Sequence, residues 1–278
     1  MAKVYELPKR FHPDFSTLGV KPKGPFSIDW AHPVTSSLKN LLVCGNQGVN
    51  LHDLVPGTTQ PVQEGTNAIT PGVYGGEVGL DFANTTATTS DVNARYQLNA
   101  TGEMSEGFVL CRFICSDFVV GNAGYIYAVP VTTGNHRLYL FCNNTGTGCG
   151  LGSTSNLGAI TSGVDTSTVY TVLFTWDSGA NVETYVDGRL GELNTTYAGG
   201  SPGGPTDTFY HLGCLQNPSL GAQSPFDGQV HLLAVGDMHI NQALGLSLTA
   251  DPYQILKPAI PMVYFVPAAA RRRFMITA

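Results

Sequence analysis

Charge is what this chain has least of. Only 12% of its 278 residues are Asp, Glu, Lys or Arg, about half the usual share. Long solvent-facing helices need polar faces, so they are disfavoured. No apolar run approaches the ~20 residues a membrane-spanning helix needs. The opening "MAKVYELPKRFHPDF" has no apolar signal-peptide core, and export by the common secretory route is not expected. There is no Cys-x-x-Cys pair, no His-Glu-x-x-His and no P-loop lysine, which removes the plainest marks of zinc and nucleotide sites. Glutamate is scarce too, with seven in all. The Glu-x-Asp-x-(x)-Glu arrangement, which would put paired carboxylates on one strand face for glycoside hydrolysis, is missing.

What is present is turn chemistry and short alternating runs. The chain holds 33 Gly and 17 Pro, with Phe, Tyr, Val and Leu plentiful enough to build a core. In 170–176, "YTVLFTW", Tyr170, Val172, Phe174 and Trp176 alternate with Thr171, Leu173 and Thr175, the period of a strand. Asp177 and Ser178 break it, 182–186 resumes it, and Asp187-Gly188 favours a tight hairpin into a third strand. Similar runs stand at 41–44, 79–82, 108–115, 125–131, 137–142, 208–213 and 229–236, parted by Gly/Asn/Thr/Ser/Pro segments. Only 241–250, stopped before Pro252, reads as helix. The fold class expected is all-β: a two-sheet antiparallel sandwich with extended ends and one short helix near the C-terminus.

The charges that do exist are unevenly placed. Residues 1–23 carry Lys3, Lys9, Arg10, Lys21 and Lys23 against two acids, a net of +3. Residues 257–278 carry Lys257, Arg271, Arg272 and Arg273 and no acid, a net of +4. Everything between has five basic residues and eighteen acids, a net of −13. The organisation expected is an N-terminal arm at 1–27, a domain at 28–256 and a basic C-terminal arm at 257–278. The nine basic residues of the ends are the candidate partner-docking groups. An acidic body would repel phosphates, so nucleic acid is not an expected partner.

Candidate chemistry is thin. Cys111 and Cys115 sit inside an apolar run and read as buried free thiols. His211 and His231 fall within strands, where a satisfied sheet histidine is the default, and His32 before Pro33 reads as shaping the domain entry. "GCGLGS" at 148–153 reads as a loop. Glu77, Glu103 and Glu106 read as solvated, and no catalytic residue is assigned.

The order of several motifs resembles the laminin-G/pentraxin-like branch of the concanavalin A-like jelly rolls. The segments are "YVDG" at 185–188, "FYHLGCLQNPS" at 209–219 and "SPFDGQVHLLAVGDMHINQALGLSLTADPYQIL" at 224–256. The start Ile28, Asp29, Trp30, His32, Pro33, the finish Pro252, Tyr253, Gln254 and the basic tail resemble domains of tailed-bacteriophage and prophage virion proteins. The resemblance implies a jelly roll over about 26–258. It also implies a non-enzymatic structural virion protein, a decoration or tail-associated module that is a homo-oligomer among other virion proteins. The alternative it leaves open is an adhesin binding host-surface glycans, with Tyr125, Tyr127 and Tyr185 as stacking candidates. Relatives of this kind can hold Ca2+, for which Asp177, Asp187 and Asp227 are the candidate ligands, although turn aspartates also cap backbone N–H groups with no ion present. No other cofactor is implied.

Overall fold

The computed structural model describes residues 19–22, 25–45, 48–66, 68–83, 94–99, 104–116, 124–128, 138–143, 146–151, 158–160, 165–177, 182–194, 209–217, 221–223 and 225–259. Two antiparallel sheets face each other, as the alternating runs require. The smaller has seven strands, in the order Gly158–Ile160, Gly146–Leu151, Leu138–Asn143, Gly124–Ala128, Phe209–Leu212, Arg95–Asn99, Val62–Glu64. The larger has eight. Seven run Arg189–Asn194, Val182–Val186, Tyr170–Trp176, Gly107–Cys115, Gly228–Gly236, Glu77–Phe82, Ile69–Tyr74. The eighth, Leu38–Val43, shares one side of the long strand Gly228–Gly236 with Glu77–Phe82.

The hairpin read from the sequence is present. Tyr170–Trp176 pairs with Val182–Val186, from Val172 opposite Val186 to Trp176 opposite Val182. Val182–Val186 then pairs with Arg189–Asn194. At the turn between them Asp187 has φ 45° and Gly188 φ 75°, the left-handed geometry that an Asp-Gly pair tolerates best. The helix Gln242–Ala250 is also where the pattern put it, with the Asn241 side chain accepting from Leu244 N at 3.1 Å as an N-cap. One reading fails. The segment 148–153 is not simply a loop, because Gly146–Leu151 pairs with Leu138–Asn143 from Gly146 opposite Asn143 to Leu151 opposite Leu138. Pairing on both sides overrides the poor strand propensity of its glycines.

Each sheet gives one face to a shared interior. Phe82, Phe113, Phe174, Trp176, Tyr96, Tyr127, Tyr210 and Phe226 fill it with Val, Leu and Ile. Rings meet edge to face, Phe113 on Phe226 at 6.2 Å and Tyr127 on Tyr210 at 6.0 Å. The thiols of Cys44, Cys111 and Cys214 are free and buried, as apolar surroundings suggested. Cys115 differs: it is disulfide-bonded.

A second apolar cluster lies on the outer face of the larger sheet. Phe108, Leu110, Leu173, Tyr185, Leu232 and Ala234 point outward there and are roofed by Ile28, Val34, Ile240, Leu248, Tyr253, Ile255 and Leu256. The roof is therefore made from the two ends of the domain. Phe26–Ile28 and Leu256–Pro258 form their own antiparallel pair, Phe26 opposite Pro258. His32 helps tie the entry to the exit, its Nε2 3.2 Å from Gln254 Oε1. No helix among the described residues is long and apolar enough to cross a membrane.

Candidate functional site

Strand alternation decides what the outer face of the seven-stranded sheet shows. Tyr96, Leu98, Tyr210 and Leu212 turn into the core, so Arg95, Gln97 and His211 turn outward. His211 lies opposite Gln97 in the ladder, and Glu64 lies opposite Arg95. Arg95 Nε donates to Glu64 Oε2 at 3.0 Å, with the two side chains 14% and 32% exposed. His211 Nε2 stands 4.0 Å from the same carboxylate, beyond a hydrogen bond. Although on the outer face, His211 is only 5% exposed, and its Nδ1 has no hydrogen-bond partner among the described residues. The satisfied sheet histidine expected at this position is thus not what the fold builds. Burial first, and the Arg95 charge second, push its pKa down to about 4. At neutral pH it is an uncharged ring with unused hydrogen-bonding capacity.

Tyr125 belongs to the same face and Tyr127 does not. The register slips between them, so Tyr125 lies opposite Phe141 and Tyr127 opposite Leu140. Consecutive partners point to opposite faces. Tyr127 follows Leu140 into the core and is fully buried, while Tyr125 remains half-buried. Of the three tyrosines expected to stack on sugars, two are therefore corrected. Tyr127 is a core ring. Tyr185 is fully buried under the helix, its hydroxyl bonded to the Glu183 carboxylate and its ring against Gly245. Neither can offer a face to a ligand without unfolding its surroundings.

The other candidates are dispersed. Lys21 is not a docking group. It is 5% exposed, and its Nζ donates to Val78 O at 2.6 Å and to Cys44 O, while burial pulls its pKa down to about 8. Lys257 is half-buried in the terminal pair opposite Ser27. Lys3, Lys9, Arg10, Lys23, Arg271, Arg272 and Arg273 lie outside the described residues. The three candidate calcium ligands do not converge. Asp187 spends Oδ1 on Thr171 N at 2.8 Å, Asp227 is buried where Gly228–Gly236 begins, and Asp177 is half-buried after Trp176. Among the described residues no group of three or more His, Cys, Asp or Glu could hold a metal ion.

Glu77 is not solvated either. At 5% exposure it takes a forked bond from Arg112, Nε to Oε2 at 2.9 Å and Nη2 to Oε1 at 2.6 Å. The hydroxyl of Tyr253 donates to Oε2 at 3.0 Å, and Arg112 Nη1 donates onward to Thr171 Oγ1 at 2.8 Å. His231, fully buried, has Nδ1 3.8 Å from Glu77 Oε2, too far to bond. Every partner is a side chain of the fold, so this carboxylate holds the roof to the sheet. Glu106 is exposed and Glu103 lies outside the described residues. Sequence reasoning missed Arg95, Glu64 and Gln97. The signal for these three was the alternation of "RYQLN" against "FYHL", legible once the two strands are known to pair.

The architecture is that of the jelly-roll, concanavalin A-like sandwiches. Solved structures bear this out. Domain 4 of a GH43 extracellular arabinanase from Geobacillus stearothermophilus, in complex with arabinotriose, is similar at TM-score 0.59 and 11% identity, covering 77% of this chain and 98% of that one. Trypanosoma rangeli sialidase is similar at 0.53 and 12% identity, covering 80% of this chain and 34% of that one. The binding domain of botulinum neurotoxin DC in complex with SialylT is similar at 0.52 and 10%, covering 75% and 49%. Identities this low carry the fold and nothing finer. No family model and no curated protein matches the sequence.

Proposed function

We propose that the chain is a non-enzymatic carbohydrate-binding module that receives an oligosaccharide on the outer face of its seven-stranded sheet. The observation that carries the reading is the set Arg95, Glu64, Gln97 and His211, which puts half-buried planar polar groups and one buried, unspent nitrogen together on the outer face of that sheet. Planar donors and acceptors match neighbouring sugar hydroxyls, and Tyr125, further along the strand next to His211 in the same sheet, supplies an apolar surface. Uncharged His211 takes part as acceptor or donor without the cost of burying a charge. Two of the structurally similar domains were solved with arabinotriose and SialylT, so related sandwiches hold sugars. Glu64 is the only acid in the seven strands, whereas retaining hydrolysis wants two carboxyls about 5 Å apart. The disulfide at Cys115 suits an oxidising place of work.

A glycan array followed by titration calorimetry tests this. Binding is expected in the weak range, Kd ~10 µM to ~1 mM. Arg95→Ala and His211→Ala should each weaken it at least tenfold, and Tyr74→Phe, on the other sheet, should not. A folded protein that binds nothing on the array overturns the proposal and leaves the structural virion role, in which the basic ends do the work.

A further inference from the structure

The seven strands of the smaller sheet hold one cation, Arg95, and one acid, Glu64. The two are paired but unequally presented, the guanidinium side chain 14% exposed and the carboxylate 32%. Only Glu64 Oε2 is used, accepting from Arg95 Nε at 3.0 Å. Oε1 accepts no hydrogen bond among the described residues. Beside the pair stand the Gln97 amide and the ring of His211, uncharged at neutral pH and with Nδ1 open. A ligand on this face therefore meets more carboxylate than guanidinium, and otherwise only neutral polar groups.

The other cations of the body are no better placed to receive an anion. Residues 24–256 hold five in all, Lys39, Arg95, Arg112, Arg137 and Arg189, against eighteen acids. Lys39 Nζ is 2.6 Å from Asp237 Oδ2, and Arg112 is forked on Glu77 beneath the roof. Arg189 is exposed, but on the outermost strand of the larger sheet. Arg137 lies outside the described residues. A carboxylate or sulfate on a glycan would give up water for a site whose guanidinium is already engaged by an acid. It would also approach a body of net charge −13. Both effects oppose it. A sugar hydroxyl meets the opposite situation. It donates to a carboxylate in a charge-assisted bond, stronger than one between neutral groups, and Arg95 already holds that carboxylate in place.

Taking the sugar reading as given, we infer that the glycan is uncharged: a neutral oligosaccharide with a hydroxyl donating to Glu64 Oε1. Sialylated, uronic-acid and sulfated chains are rejected. Glu64 is then the residue that sets specificity, and Arg95 positions it.

The test is an array carrying neutral glycans beside sialylated, uronic-acid and sulfated versions of the same backbones. Calorimetry follows on the strongest hit. Neutral chains are expected to bind, and their acidic versions to bind about tenfold more weakly or worse. With no charge on the ligand, Kd should change less than about twofold between about 0.1 M and 1 M salt, although the Debye length falls from about 10 Å to about 3 Å. Glu64→Gln keeps the size of the side chain and removes its charge. It should weaken neutral binding about fivefold or more and narrow the gap to the acidic chains. Its melting temperature reports whether it is folded. If it is not, the acidic versions and the salt series on the parent chain decide alone. Hits confined to acidic glycans, or affinity that falls about tenfold with salt, overturn the inference and leave the sugar reading standing. Neutral binding indifferent to a folded Glu64→Gln does the same. No hit of either kind overturns both.

Discussion

The two sheets share one interior and differ in what covers their outer faces. The larger sheet hides its outer side beneath Ile28, Leu248, Tyr253 and Leu256, and so buries apolar residues on both faces. Its strands accordingly read as nearly continuous apolar text: every residue of Gly228–Gly236 is buried, and all but one of Gly107–Cys115. The strands Arg95–Asn99 and Phe209–Leu212 of the smaller sheet alternate, with Tyr96, Leu98, Tyr210 and Leu212 inside and Arg95, Gln97 and His211 outside. A roofed face becomes scaffold, and its charges are spent internally, as in Glu77 with Arg112. The outer face of the smaller sheet instead carries polar side chains, Arg95 and Gln97 half-buried and His211 buried.

The largest effect should come from breaking the roofed side. Glu77→Ala leaves Arg112 buried without its counter-ion, and such losses cost about 3–5 kcal/mol. Thermal unfolding should show it plainly, and a cost below about 1 kcal/mol would mean the roof does not depend on this pair. Acid should act next. His231 and His211 both have folded pKa values near 4, lowered by burial from 6.5. The unfolded chain therefore binds more protons between about pH 6.5 and pH 4, and stability declines as pH falls through that window. Full protonation costs roughly 3 kcal/mol for each ring by the same linkage. Urea unfolding at pH 7 and pH 5 should show the decline, and replacing both rings with Gln should flatten it.

A smaller effect belongs to the helix seat. Gly245→Ala would put a Cβ 2.7 Å from the buried ring of Tyr185. The gain in helix propensity, about 1 kcal/mol, is opposed by an overpacking cost of about 1–3 kcal/mol, so net destabilisation is expected. A more stable variant would show that the ring can shift. The smallest effect should be at the open edge of the larger sheet, where Val73 is 70% exposed. Val73→Thr should change stability by less than about 0.5 kcal/mol, and a larger loss would mean that something covers this edge.

Much of this was written in the chain in a form that can be read locally. Strand runs at 170–176 and 182–186, the Asp-Gly turn and the Asn241-capped helix need only periodicity and local hydrogen bonding. Residues whose role depends on a distant cover were not legible. Tyr185 and Tyr125 are both strand tyrosines, and only the helix Gln242–Ala250 over the first separates their fates. Lys21 looks like one more cation of a basic end until the carbonyls of Cys44 and Val78, far along the chain, are seen to accept from it. The open nitrogen of His211 is the hardest of all, because a missing partner leaves no trace in sequence.

The terminal pair has a mechanical consequence. Phe26–Ile28 and Leu256–Pro258 run antiparallel, and the chain leaves both strands at the Phe26–Pro258 end. A pull on the C-terminal side loads these hydrogen bonds one after another, like the teeth of a zip, whereas a pull on the N-terminal side first meets Gly19 and Lys21, held on Asp251 Oδ1 and on the carbonyls of Cys44 and Val78. Loaded from its C-terminal side, this short pair should therefore open at low force while the sheets beneath stay closed, giving the chain a few residues of slack before the sandwich feels any strain.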